Sequence, residues 1–194
     1  MPAYELEINA PRAIFELAGA DSAAARREVE KWIEIAKILG ASILRSGYGR
    51  LNTKTSRFKR DLSISEHLGF LIRNLKEAAK IFEDHKVYYV IENHCDFAGR
   101  EFVRIFEAVD STHAGSALDT GNGYTVYWDP NDDVDVLAPY AITTHIKDMR
   151  VEDYESDLIP FQARGCALGE GHVDIPRVLE LLETYSPRAE GWLI

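Results

Sequence analysis

A chain of 194 residues, 46% hydrophobic and 28% charged, has the composition of an ordinary globular protein and is long enough to bury a sizeable core. A formal net charge of −10 works against binding to phosphate backbones, no stretch reaches the roughly 18 apolar residues of a membrane span, and the opening MPAYELEINAPR lacks the basic and apolar regions of a signal peptide. Two cysteines, Cys95 and Cys166, cannot build a disulfide framework, so the expectation is a cytoplasmic, single-domain protein over 1–194 that binds neither nucleic acid nor membrane.

In chain order, YELEIN (Tyr4–Asn9) reads as a strand. Asp21 is an N-cap candidate for a helix in which Ala25, Val29, Ile33, Ala36 and Leu39 recur at helical spacing up to Gly40, a C-cap. ASILRSGYG (Ala41–Gly49) is a strand running into a glycine-rich loop. The basic stretch from Arg50 to Leu62 could grip a phosphate or simply be a solvated loop, and the solvated loop is the reading adopted. Ser63 and Glu66 have capping-box spacing ahead of a stripe of Leu68, Leu71, Ile72, Leu75, Ala79 and Phe82.

VYYVIENH (Val87–His94) is the clearest strand. A short helix, REFVRIFEAV, leads to the strand AGSALDTGN (Ala114–Asn122), then a short helix in WDPNDDVDVLAPY and the strand AITTHIK. The irregular segment from Arg150 to Gly171 holds one more strand near FQARGCAL. DIPRVLELLETYSP is a helix with Asp174 as N-cap and Pro176 in its first turn, and GWLI starts a further strand. About seven strands separated by helices predict an α/β protein with a parallel sheet. SGYG and GEG do not fit a dinucleotide-binding GxGxxG, so a barrel is favoured over a doubly wound sheet.

Alternate residues of a strand face opposite sides. In VYYVIENH, Glu92 and His94 therefore share a face with Val90, while Tyr89 and Ile91 point toward covering helices. In AITTHIK, His145 and Lys147 share a face with Thr143, with Ile142 and Ile146 opposite; in AGSALD, Asp119 goes with Ala117 and Leu118 points away. Three strands thus place Glu, Asp or His on the inner face at the carboxyl end, where βα proteins put their active sites. Two carboxylates and one imidazole, Glu92, Asp119 and His145, suit Mn²⁺, with Mg²⁺, Co²⁺ or Zn²⁺ as alternatives.

VIENH, ALDTGN, THIKD and LGEGHVDI, in this order, resemble the xylose isomerase-like TIM barrel superfamily, the sugar phosphate isomerase/epimerase group. The resemblance implies a (β/α)8 barrel in which Glu92, Asp119 and His145 bind a divalent metal. It further implies that His94, Asn122 and Lys147 face a small carbohydrate substrate and that Glu92 doubles as a proton-transfer group. Glu170 in LGEG has either a structural or a supporting role. Asn122 stands where the related AP endonuclease branch would carry a further His, and no D-x-H pair follows THIKD, which argues against a trinuclear nuclease site.

The family's last strand ends in a metal-binding Glu, and YELEIN matches the second strand rather than the first. The expectation is a barrel lacking its first βα unit and the end of its last, open at strand edges that favour homo-oligomers. The activity implied is isomerisation or epimerisation of a keto-sugar or polyol derivative. The alternatives are a dehydratase using the same first proton abstraction and a binding protein without activity.

Overall fold

In the computed structural model, the described residues are 5–48, 57, 61–157 and 159–188. Five parallel strands, β1 (Leu6–Asn9), β2 (Ala41–Gly47), β3 (Tyr88–Glu92), β4 (Ala114–Asp119) and β5 (Ala141–His145), lie side by side in chain order. Helices α1 (Ser22–Leu39), α2 (Ile64–His85), α3 (Gly99–Val109) and α4 (Pro130–Leu137) make the four crossovers, and α5 (Ile175–Tyr185) follows. Repeated βα units with sequential neighbours are the build of a TIM barrel, here an arc of five strands among the described residues. The strand expected from GWLI and nearly all of the basic stretch from Arg50 to Leu62 lie outside the described residues.

Local chemistry explains where the helices start and stop. Ser63 Oγ accepts from the Glu66 N–H at 3.2 Å while Glu66 Oε2 accepts from the Ser63 N–H at 2.6 Å, a reciprocal cap that contributes about 1 kcal/mol. Gly40 ends α1 at φ +74°, a backbone conformation that side chains resist. Asp21 occupies the N-cap position of α1, but its side chain makes no capping bond.

The strands are apolar on both faces, as a helix-covered parallel sheet requires. Leu44, Tyr89, Ile91 and Leu118 join the large outer core with Val29, Ile33, Leu71, Leu75, Phe82, Phe102 and Ile105. A smaller inner cluster of Ile43, Val90, Ala117 and Ile142 lies on the opposite face. Ile142 departs from the strict alternation expected of AITTHIK. The register steps from Ser116 opposite Ala141 to Ala117 opposite Thr143, so Ile142 is an extra residue, a bulge, and turns inward. Gly115 makes room for it: a Cβ there would lie 2.7 Å from Ile142 Cδ1 and 2.5 Å from the Tyr140 carbonyl oxygen.

Seven strands are present among the described residues, but two are not part of the arc. β6 (Asp148–Asp153) and β7 (Phe161–Cys166) form a separate antiparallel hairpin at the carboxyl end of β5. Charged residues such as Arg150, Glu152 and Arg164 on these strands do not suit a strand buried on both faces. Among the described residues, no helix is long and apolar enough to cross a membrane.

Asp133 on α4 ties this helix to α3, accepting from the Gly99 N–H at 2.6 Å through Oδ1, while its buried Oδ2 has no partner. Burial pushes this carboxyl up to about 7, the Gly99 bond offsets part of the rise, and Asp132, Glu101 and Asp129 add to it. A carboxyl raised on folding is ionised more readily in the unfolded chain, so it costs stability increasingly as pH rises from about 4 to 7. Asp133→Asn keeps an acceptor for Gly99 and removes that cost. The variant is expected to melt above the wild type at pH 8 and to lose this advantage by about pH 4 in calorimetric scans.

Candidate metal centre

The inner face of the arc changes character from its amino to its carboxyl end. One step beyond the apolar layer of Ile43, Val90 and Ala117, the same alternation presents Arg45 on β2, Glu92 on β3 and Asp119 on β4, with His145 closing β5. Glu92 and Asp119 are 6% and 4% exposed, so two carboxylates share a nearly dry space. One ligand atom from each of Glu92, Asp119 and His145 lies within 4.8 Å of the others, and this is the one such group among the described residues.

The spacing within the trio discriminates between hydrogen bonding and ion binding. His145 Nδ1 is 3.5 Å from Glu92 Oε1 and 4.0 Å from Asp119 Oδ2, beyond hydrogen-bond range. Ligands about 2.1 Å from a common octahedral ion stand about 3.0 to 4.2 Å from one another. The two His145 separations, 3.5 and 4.0 Å, fall in this range, so the donor set is compatible with a small divalent cation. Two oxygens and one nitrogen are also the donor chemistry of Mn²⁺, Mg²⁺ and related ions.

Two cations flank the carboxylates. Arg45 reaches Glu92 Oε2 at 2.5 Å through one guanidinium nitrogen and Glu7 Oε1 at 2.5 Å through Nε. Burial would lower the Arg45 guanidinium, but Glu7 and Glu92 together raise it. Lys147 Nζ lies 3.0 Å from Asp119 Oδ2 and donates to Asn122 Oδ1 at 2.7 Å. The lysine stem packs beside Gly121, where a Cβ would lie 3.0 Å from Lys147 Cγ.

Of the six residues singled out in the sequence, the structure brings five together: Glu92, Asp119 and His145 as a trio, with Lys147 bridging Asp119 and Asn122. The buried Asn122 leaves its amide nitrogen without a partner beside Lys147. His94 is set apart. It is exposed at the carboxyl ends of β2 and β3, with Nδ1 3.0 Å from Cys95 Sγ and its Cβ 3.8 Å from where a Gly47 Cβ would be.

The sequence reading passed over the groups that hold this arrangement in place. Asn93 clamps the end of β4 to β3: its Oδ1 accepts from the Asp119 N–H at 2.7 Å, and its Nδ2 donates to the Asp119 carbonyl at 2.9 Å. Thr120 does the same one strand further, donating to the Lys147 carbonyl at 2.7 Å and accepting from the Lys147 N–H at 2.9 Å. Each side chain adds a rung where the backbone ladder ends. Arg45 was legible from alternation, since Ile43 and Arg45 share a face and Leu44 takes the other.

Asp148 organises the loop that closes this end. Its carboxylate is buried and accepts from the N–H groups of Met149, Gly169, Gly171 and Val173 at 2.8 to 3.0 Å. Burial alone would raise this carboxyl; the four backbone donors outweigh it and hold the group below the usual carboxylate range. In the LGEG turn it is thus the Gly169 and Gly171 amides that matter, while the Glu170 side chain is exposed.

Over residues 5–194 the sequence matches the xylose isomerase-like TIM barrel family, and the chain belongs to that family. A 3-oxo-isoapionate decarboxylase from Pectobacterium atrosepticum is 28% identical over 93 residues, which are 48% of this chain and 34% of that protein. Among solved structures, a xylose isomerase-like TIM barrel protein from Mycobacterium smegmatis in complex with magnesium superposes with a TM-score of 0.69 at 16% identity over 92% of this chain. A D-tagatose 3-epimerase-like protein superposes with a TM-score of 0.61 at 21% identity over 93% of this chain. The chain spans 62% and 66% of those two structures, and at these identities the likeness is one of fold.

Asp148→Asn is expected to lower stability by roughly 3 kcal/mol near neutral pH, since it leaves buried N–H groups facing an amide that accepts through one oxygen only. A carboxyl lowered on folding contributes its stabilisation above the unfolded-state value of about 4 and loses it as pH falls through the folded value. The gap between wild type and variant in urea melts should therefore be constant from pH 8 to 5 and narrow in more acidic buffer.

Proposed function

We propose that this chain carries the site of a divalent-metal-dependent isomerase or epimerase that moves a proton beside a carbonyl of a small keto-sugar or polyol derivative. The observation supporting this reading is the convergence of Glu92, Asp119 and His145, from three strands, at ion-binding spacing. A cation held by these three, Mn²⁺ in our reading with Mg²⁺, Co²⁺ or Zn²⁺ as alternatives, would supply Lewis acidity at a carbonyl oxygen and offset the negative charge that develops there.

The chain's own groups supply the rest. Arg45 holds Glu92 Oε2 while Oε1 faces His145, and the carboxylate oxygen not engaged by the cation would take a proton from the carbon next to the carbonyl and return it. Lys147, anchored by Asn122, carries three donors on a positive charge and can orient a substrate hydroxyl or carbonyl oxygen. In this reading the exposed His94 would contact substrate oxygens from the rim of the strand ends. Asn93 and Thr120 keep Asp119 and Lys147 in register, which is the rigidity a proton transfer of this kind needs.

The decarboxylase relative favours a second reading, a lyase. There Glu92 would deliver a proton to the carbon that has lost carbon dioxide. Dehydration shares the first proton abstraction with epimerisation and needs a hydroxyl to depart next.

Two measurements test the proposal. In calorimetric titrations with MnCl₂ the wild type is expected to bind and Asp119→Ala to show no heat of binding; equal, negligible heats for both would rule the metal site out. Lys147→Met is expected to retain Mn²⁺ binding and to slow solvent deuterium incorporation into a panel of keto-sugars at least 100-fold. Label recovered in the starting sugar or its epimer supports the isomerase, whereas loss of water or carbon dioxide supports the lyase.

A further inference from the structure

The β6–β7 hairpin lies outside the arc and carries one exposed edge. In the antiparallel ladder, Asp148, Arg150 and Glu152 stand opposite Cys166, Arg164 and Gln162, while Met149, Val151 and Asp153 stand opposite Gly165, Ala163 and Phe161. Alternate pairs turn their N–H and C=O groups toward each other or away. The Val151 N–H donates to His172 Nδ1 at 3.0 Å and the Met149 carbonyl accepts from the His172 N–H at 2.8 Å, so these residues face outward and His172 covers this edge of β6. The Tyr154 N–H bond to the Pro160 carbonyl, at 2.9 Å, belongs to the same inward set as Glu152 and Gln162.

It follows that Phe161, Ala163 and Gly165 direct their backbone groups away from β6. Among the described residues, no hydrogen bond reaches the outward N–H or C=O groups of these three. A two-stranded hairpin is marginal by itself, and an uncovered edge is a template for another strand. Exposed apolar side chains surround it: Phe161 is 54% exposed, Tyr154 53% and Ile159 45%. A cavity of about 670 Å³ opens between the hairpin and the aromatic side chains of Tyr124, Tyr127 and Trp128.

We infer that the β7 edge is an interface with a second copy of this chain, formed by antiparallel pairing of β7 with β7 about a twofold axis through Ala163. The strand is self-complementary in this register. Ala163 faces its own mate, Phe161 faces Gly165 of the second copy, and Gln162 faces Arg164. All six outward N–H groups, three from each copy, meet a carbonyl. The Phe161 ring covers a position with no side chain, an arrangement that rescues glycine in sheets. Moving the axis to residue 164 would set two Arg164 side chains directly opposite, which is unfavourable. The product is a four-stranded sheet, long enough in strands to be stable where the hairpin alone is not.

The test is made on the whole chain. Sedimentation at micromolar concentration is expected to give twice the 21.9 kDa of one copy. Ala163→Pro removes an outward N–H at an edge position that tolerates proline, and is expected to yield a monomer with an unchanged circular dichroism spectrum. In a Cys166→Ser background, Ala163→Cys is expected to give a disulfide-linked dimer on mild oxidation, because paired Cα atoms lie about 5.5 Å apart. Phe161→Cys, about 13 Å from its own mate at the strand rise per residue, is expected not to link. A monomeric wild type, a dimer that survives Ala163→Pro, or equal cross-linking at both cysteines would overturn the interface.

Discussion

Two carboxylates held close together out of water are the constraint around which this end of the molecule is organised. Glu92 and Asp119 are each nearly buried, and like charges at this distance repel strongly in a medium less polar than water. Removal of a charge from water costs several kcal/mol unless partners compensate. Arg45 on one side and Lys147 on the other supply those partners, each within 3.0 Å of a carboxylate oxygen. Arg45 is shared with Glu7, so two positive charges face three carboxylates and one negative charge is left over, which a bound cation would offset.

Holding that centre requires stiff strand ends, where the backbone ladder runs out. The chain solves this with side chains acting as extra rungs. Asn93 brackets the Asp119 peptide, Thr120 brackets Lys147, and Asp148 gathers the amide of Met149 and three amides of the loop after β7. These are short polar side chains that reach backbone groups one strand away. None of them presents a donor to the candidate metal centre itself, and they define the geometry of the residues proposed to do so.

Strand alternation made much of this readable. Val90, Glu92 and Ala117, Asp119 lie on the inner face as period two requires, and the outer residues Tyr89, Ile91 and Leu118 lie under the helices. The same rule misplaced Ile142, because a bulge adds a residue and inverts parity on one side of it. His145 is nevertheless inward, since parity counted back from the strand end begins after the bulge. The expected strand total included one at GWLI, outside the described residues, and missed β6, most of which lies in the segment read as irregular; the charged residues on β6 and β7 were the available signal that these two strands leave the arc.

The sequence by itself determined the βα alternation, the limits of the capped helices and the side of each strand that carries Glu92, Asp119 and His145, because these depend on residues a few positions apart. Only the tertiary structure decided that the three groups meet within 4.8 Å, that Arg45 and Lys147 pair with the two carboxylates, and that His94 is exposed with its ring against Cys95. The physical reason is range. Period and capping are set by covalent neighbours, whereas the separation of side chains on different strands depends on sheet register, bulges and the amide clamps that join one strand end to the next.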